Sequence, residues 1–334
     1  MRRWMKGILV AGVIAAVGLF APAREVIDPM GRIVTVPDEA QRIASPYGMG
    51  TYYLYALGAK EQVVAGWYIG LRTASQAPEV LRRLDPDLAI KLRFGDPNLE
   101  DLAALGINLV LADATRHAAF SRLAREVGLP VLEYQVETFA DLASALRTTG
   151  QALGGEAEAR GRALARKVED TLAATEAATA DLARPRVLFS GPDPLRVASG
   201  TMFQTLLVEA AGGASVSAGL VGSWNEINLE QIFVWDPEVV ILAPYSTAEP
   251  KDLLADPNWQ RVSAVASGRV YKMPRLIAPW DTPVPDALLG LLWLAETLHP
   301  GALGIDLCAE VQAFHREVYG LELSAEELAG SGCP

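Results

Sequence analysis

Cysteine, histidine and net positive charge are all scarce in this 334-residue chain. Its two cysteines, Cys308 and Cys333, have no partners at the spacing of a metal site. The histidines are His117, His299 and His315. A carrier of bare Zn²⁺ or Mn²⁺ needs several nitrogen or oxygen ligands converging on one point, and so thin a set argues against one. Lys and Arg number 29 against 40 Asp and Glu, which excludes the basic face that nucleic-acid phosphates require. A small anion stays open as a ligand, because a local pocket can differ in sign from the whole surface. Catalytic signatures are missing as well: no Gly-x-Ser-x-Gly elbow, no glycine-rich phosphate loop with lysine, no His-Glu-x-x-His.

Long apolar runs are also lacking, with one exception at the start. Arg2, Arg3 and Lys6 precede an apolar or small stretch, Gly7–Phe20, followed by Ala21-Pro22-Ala23. This is the pattern of a secretory signal peptide cut near Ala23. At about 14 residues the stretch falls short of the roughly 20 that span a bilayer; an uncleaved anchor is the alternative. The residues after Arg2-Arg3 fit a twin-arginine signal poorly, and no cysteine follows for lipid attachment. A periplasmic location is expected. Three of the 29 basic residues and none of the 40 acidic ones lie in this segment, so the charge moves from −11 to −14 on cleavage. The remaining length suits two domains. Export permits a Cys308–Cys333 disulfide that would pin the tail; a buried Cys308 with a loose Cys333 is the other reading.

What is present is an alternation of strands and helices. Val26–Pro37 reads as a hairpin around Asp28-Pro-Met-Gly31. Strands are expected at Arg42–Ser45, Val63–Trp67, Leu88–Leu92, Asn108–Ala112 and Val131–Tyr134. Helices are expected at Gly48–Leu57, from Asn98, and at Phe120–Val127. Glu156–Leu182 has no proline and repeats Leu164, Val168 and Leu172 every four positions, which predicts one long helix ended by Pro185. Alternation then restarts with strands at Arg186–Phe189, Val239–Ala243 and Val270–Met273, and helices at Thr205–Ala211, from Asn228, and at Pro257–Val265. Helices at Pro285–Leu298 and Leu307–Tyr319 finish the chain. The expected fold class is α/β: two Rossmann-like lobes with mainly parallel sheets, joined by a single long helix, with a ligand cleft between them. The expected divisions are 1–23 signal, 24–154 N-terminal lobe, 155–184 connecting helix and 185–334 C-terminal lobe with terminal helices.

Asn-Leu-Glu occurs at Asn98–Glu100 and again at Asn228–Glu230, each opening a helix that leads to a buried strand. Asparagine is a good N-cap, and a first-turn glutamate suits the helix dipole. Capping alone does not account for the same acid at the same point of both halves.

The chain here resembles the class III substrate-binding proteins of ABC importers, which bind iron–siderophores, haem, cobalamin and related metal-containing ligands, and in some members molybdate or tungstate. The resemblance spans essentially the whole exported chain. It rests on Asp28–Pro37, Arg42-Ile-Ala-Ser45, Tyr55-Ala-Leu-Gly58, both Asn-Leu-Glu runs, Ala210-Ala-Gly-Gly213, Val234–Leu242 and Leu289–Ala295. Gly106-Ile107-Asn108 departs from the family's usual Pro-Asp before the strand. The resemblance implies that Glu100 and Glu230 pair with arginines of a permease dimer carrying ATPase subunits. It also implies a monomer that is not an enzyme and holds no resident cofactor, the transported ligand itself containing the metal.

Loops at the carboxyl ends of the strands supply the candidate ligand contacts. In the first half these are Tyr47, Trp67, Tyr68, Arg93, Arg116 and His117, the last also as an axial metal ligand. In the second half they are Arg196, Trp224, Tyr245, Arg275, Trp280 and Asp281. Aromatics offer flat walls for a chelate or macrocycle; arginines offer forked donors for oxyanions. The abundance of Trp and Tyr favours a metal chelate, with molybdate or tungstate as the alternative. An exported metal-dependent hydrolase using His117 and Asp113 is the rival from another class. His299 is expected at a helix end and His315 on a helix flank.

Overall fold

The computed structural model describes residues 23–38 and 40–332. The expected export segment and Cys333 lie outside the described residues; Cys308 is half-buried. No helix among the described residues is long and apolar enough to cross a membrane.

The chain opens with the expected hairpin, β1 (Ala23–Ile27) and β2 (Ile33–Pro37). Its turn is organised by the buried carboxylate of Asp28. This group accepts the N–H of Met30 (3.0 Å) and of Arg32 (2.9 Å) and pairs with the Arg32 guanidinium. It also accepts the N–H of Glu133 at 3.2 Å, which staples the hairpin to the body of the protein.

The first half continues with β3 (Ile43–Ser45), α1 (Gly48–Ala56), β4 (Val63–Trp67), α2 (Glu79–Leu84), α3 (Leu88–Lys91) and β5 (Leu92–Arg93). It closes with α4 (Leu99–Ala104), β6 (Leu109–Asp113), α5 (Ala118–Glu126) and β7 (Val131–Tyr134). The strands form one parallel sheet in the order β5-β4-β3-β6-β7. Leu109, Val110, Leu111 and Ala112 are wholly buried, as expected for parallel strands covered on both faces. Each large apolar side chain so buried contributes about 1.5–3 kcal/mol.

Two helices follow, α6 (Phe139–Leu153) and α7 (Gly155–Thr179). The 25 residues of α7 run for roughly 37 Å and carry the chain into the second half. The two helices cross where Gly150 meets Gly161: a Cβ on Gly161 would lie 2.5 Å from the Leu146 carbonyl oxygen.

The second half comprises β8 (Arg186–Ser190), β9 (Arg196–Val197), α8 (Phe203–Ala210), β10 (Ala214–Ser215), β11 (Asn225–Glu226) and α9 (Leu229–Trp235). Then come β12 (Val239–Leu242), α10 (Pro250–Ala255), α11 (Ser263–Ala266) and β13 (Val270–Lys272). Its sheet runs β11-β9-β8-β12-β13, with β10 also on β8. The pairings among β8, β10, β12 and β13 are parallel; β9 is antiparallel to both neighbours. Finally α12 (Ala287–Leu298), α13 (Leu307–Phe314) and α14 (Ala325–Gly330) return towards the first half. Arg83 of α2 donates to the Glu322 carbonyl (2.8 Å) and the Glu327 carboxylate (3.1 Å), and Lys167 of α7 pairs with Glu317.

Three expectations need correction, and one helix was not expected. Leu88–Leu92 is a helical turn followed by a two-residue strand, because Lys91 turns inward to the buried carboxylate of Asp85 at 2.9 Å. The helix expected at Pro257–Val265 is mostly a turn that buries Trp259, entering the short α11 only at Ser263; α10 lies before the expected span. His315 is not on a flank: it is fully buried in a π-helical turn, His315–Tyr319, its Nδ1 2.8 Å from the Val311 carbonyl. Burial lowers its pKa to about 4. Helix α6 was not anticipated, although Thr138 and Asp141 form the capping box that announces it.

Gly161→Ala should destabilise the protein. The close crossing of α6 and α7 makes overpacking cost about 1–3 kcal/mol, more than the gain of up to about 1 kcal/mol in helix propensity. Urea unfolding measures the difference; a higher midpoint for the variant would show that this contact does not set the helix spacing.

Candidate ligand cleft

In the first half β3 lies between β4, its successor, and β6. All five strands point the same way, so their carboxyl ends share one edge, and the loops after β3 and β6 diverge there to form a crevice. In the second half the loops after β8 and β12 instead run on together: Ala243 donates to the Ser190 carbonyl at 2.8 Å and Thr247 to that of Pro192 at 2.9 Å.

The two edges meet through a small set of contacts. The Tyr53 hydroxyl of α1 donates to the Pro283 carbonyl at 2.8 Å. The rings of Phe139 and Phe203, at the starts of α6 and α8, lie 4.9 Å apart. The Glu137 carboxylate faces the backbone of Phe203; burial and the nearby Asp113 hold its pKa above the usual range. Gly70, in the left-handed region, allows the loop after β4 to approach: a Cβ there would sit 3.5 Å from Arg275 Nη1 and 3.8 Å from Tyr245 Cβ.

Arg275 is the electrostatic centre of this meeting. It follows β13 in a segment, Met273–Asp286, that is otherwise buried throughout. Its Nη2 lies 3.5 Å from the Tyr52 hydroxyl of α1, and its Nε is buried with no hydrogen-bond partner. Two buried carboxylates, Asp281 and Asp286, feel its charge without forming an ion pair with it. Asp281 Oδ2 accepts the Tyr245 hydroxyl (2.7 Å) and Gln204 Nε2 of α8 (3.3 Å). Asp286 accepts the Tyr319 hydroxyl and the Ala278 N–H. Burial raises both carboxyl groups to about 6, against the opposing pull of those hydrogen bonds and of Arg275. The Tyr52 phenol is raised by burial too, so it stays neutral.

The sequence-selected residues divide into groups. Arg275 and Tyr245 stand at the junction of the halves. Trp224 is half-buried, its ring perpendicular to that of Tyr245 at 6.5 Å and seated over Gly191, where any Cβ would strike the indole at 2.5 Å. Arg196 is half-buried on β9 with an unpartnered buried Nε. Arg116 is exposed beside His117.

Trp280 is a correction. It is wholly buried against Gly290 and forms core, not cleft surface. Asp281, also wholly buried, positions Tyr245 and Gln204 and presents no face to a ligand. Tyr47 stacks on Tyr134 at 5.7 Å, and the Tyr68 hydroxyl bonds that of Tyr55 at 2.6 Å; both are at most 4% exposed. Arg93 folds back onto the carbonyls of Ile90 (2.7 Å) and Leu92 (2.9 Å). Trp67 donates to the Gly95 carbonyl at 2.7 Å and lines a side pocket with Arg93 and Phe94, next to α4.

His117 accepts the Asp113 N–H at Nδ1 (3.0 Å), which leaves the ring proton on Nε2. Burial lowers its pKa, so it is a neutral donor and not a bare metal-ligating nitrogen. Among the described residues no three His, Cys, Asp or Glu side chains are grouped to hold a metal ion. Sequence reasoning missed Tyr52, Tyr53, Glu137, Phe203 and Gln204. Only the consecutive Tyr52-Tyr53 behind the first strand of a half stood out locally; the others owe their place to pairing across the halves.

The expected caps are present. The Asn98 side chain accepts the N–H of Glu100 (2.8 Å) and Asp101 (3.1 Å), and that of Asn228 accepts the N–H of Gln231 (2.9 Å). Glu100 and Glu230 are both exposed.

A family model described as periplasmic binding protein matches residues 43–276. The molybdate-binding protein MolA of Haemophilus influenzae is 24% identical over 97% of this chain and 99% of its own length. The Fe(3+) dicitrate-binding periplasmic protein FecB of Escherichia coli is 28% identical over 58% of this chain and 64% of its own. The crystal structure of a periplasmic solute-binding protein from Veillonella parvula superposes with a TM-score of 0.82 at 24% identity, covering 93% of this chain and 97% of that one.

Asp281 should leave a signature in the pH dependence of stability. Its carboxyl is raised from 3.8 to about 6, so the folded state favours the protonated form. That stabilisation is complete below the unfolded pKa and is lost as pH rises through about 6. Relative to Asp281→Asn, the wild type should lose about 2.5 kcal/mol of unfolding free energy between about pH 4 and pH 7. Urea unfolding of both proteins across this range checks it; parallel curves would contradict the assigned shift.

Proposed function

Because the chain belongs to the periplasmic binding protein family, we propose that it is the solute receptor of an ABC importer and that its cleft takes a compact tetrahedral oxyanion of the molybdate or tungstate kind. Arg275 carries this reading: a guanidinium at the junction of the two halves, with a buried Nε still without a partner. Hydrogen bonds from a charged donor to an anion contribute about 1.5–3 kcal/mol each, and the guanidinium fork suits an oxyanion. The buried Tyr52 hydroxyl accepts from the same guanidinium and fixes its place at the junction. The overall negative charge does not oppose this, since the local donors set the field in the cleft.

A wide chelate is less well served. Tyr47, Tyr68 and Trp280, which suggested aromatic walls, are packed inside their own halves, and contacts such as Tyr53–Pro283 and Phe139–Phe203 draw the halves together. A small ferric chelate remains the second reading, favoured by the exposed ring of Phe94 beside Trp67. In either case residues 24–154 and 185–334 act as the lobes, 155–184 connects them, and residues 1–23 direct export. Glu100 and Glu230 dock the receptor on a permease whose ATPase subunits supply the energy. The receptor works as a monomer, without a resident cofactor and without turning over its ligand.

Calorimetry with sodium molybdate should show binding that Arg275→Gln weakens by about 10- to 100-fold. Native mass spectrometry and an absorption spectrum of protein from its own host distinguish the ligands: retained molybdenum or tungsten on a colourless protein supports the oxyanion, whereas a coloured iron or corrinoid species overturns it. Glu100→Lys combined with Glu230→Lys should abolish uptake while molybdate affinity stays as in the wild type; uptake that persists would remove both glutamates from docking.

A further inference from the structure

An exposed ion pair contributes little by itself, so two surface glutamates leave open what gives a receptor its particular permease. A groove of about 830 Å³ runs beside Glu100. Leu99, Ala103, Ile107, Val127 and Leu129 line it, with Glu100 the one charged residue among its described walls. Val127 is 67% exposed, at the end of α5. Apolar surface of this kind, next to a fixed charge, marks an interaction site on a protein. The second half offers a related feature: Val234 lies one turn after Glu230 on α9, the same face of the helix, and is 78% exposed.

Resting on the docking reading above, we infer that the groove receives apolar side chains flanking the permease arginine that meets Glu100. The partner is thus an exposed permease segment presenting an arginine beside one or two aliphatic or aromatic residues. The charge pair sets orientation, and the groove discriminates among permeases, because desolvated apolar contacts at the centre of an interface carry most of its energy. The two halves present different shapes to the permease, a concave groove beside Glu100 and a projecting valine beside Glu230. Apolar contact at the first therefore does not reproduce that at the second, and the receptor has a preferred orientation on its partner.

The test uses the exported protein loaded with sodium molybdate and the cognate permease–ATPase complex in lipid nanodiscs, with docking measured by surface plasmon resonance. Ala103→Trp fills the groove; Val127→Asp places a charge in it without bulk at an exposed position, so that a folding defect in the first does not decide the outcome. Ala177→Trp is the control, being exposed on α7 and lining neither the groove nor the pocket beside Trp67. Both groove variants should weaken docking by at least about tenfold, with molybdate affinity and the control unchanged. Wild-type docking by both groove variants, while Glu100→Gln and Glu230→Gln lose it, would overturn the groove and spare the docking reading. Wild-type docking by the two glutamate variants would remove the docking reading, and the groove with it. A wild-type dimer in sedimentation that Val127→Asp dissociates would assign the groove to a second copy of this chain and overturn the proposal.

Discussion

A guanidinium placed where two sheets meet must be neutralised locally, and the surroundings of Arg275 are built around that requirement. A buried charge without a counter-charge is too costly to keep. Asp281 and Asp286, in the same inward segment, lie within its field, and each is held by partners from other elements: Tyr245 after β12, Gln204 of α8, and Tyr319 of the π-helical turn. The carboxylates are themselves strained by burial, as their raised pKa values record. Removing any one member would leave another charged or polar group uncompensated. The network therefore ties the second sheet, its first crossover helix and the C-terminal helices into one support for a single cation. Tyr52 brings the first half to the same point.

The covalent link between the halves is α7, and its stiffness matters for the same junction. An unbroken helix resists bending more than extended strands do, so closure over a ligand is confined to small movements at the cleft edges. The Gly150–Gly161 crossing and the Lys167–Glu317 pair restrain the helix further. On the function proposed above, ligand recognition at the cleft and docking at Glu100 and Glu230 would employ different surfaces of one frame, which would hold the two glutamates at a set separation for a partner with two fixed arginines to read.

Much of this was legible in the residues. The apolar run Val239–Leu242, the four-residue spacing of Leu164, Val168 and Leu172, and the Asn caps before Glu100 and Glu230 are local signals, and each element stands where those signals put it. Local signals failed where a long-range demand overrode them. Lys91 turns its segment into a helix to reach Asp85. His315 is drawn inside by the C-terminal packing. Trp280 and Tyr47, aromatic residues on candidate loops, are consumed by their own cores.

Hydrophobic period, capping and turn chemistry act over a few residues, so the sequence by itself determined the α/β alternation, the duplicated halves, the long connector and the exposed glutamates. Which loop side chains face a ligand was decided only by the tertiary structure. That choice depends on burial and charge compensation between positions far apart in the chain, such as Arg275 with Tyr52, Glu137 with Phe203 and Tyr53 with Pro283. No local pattern encodes those pairings, because each exists only once the two halves are brought face to face.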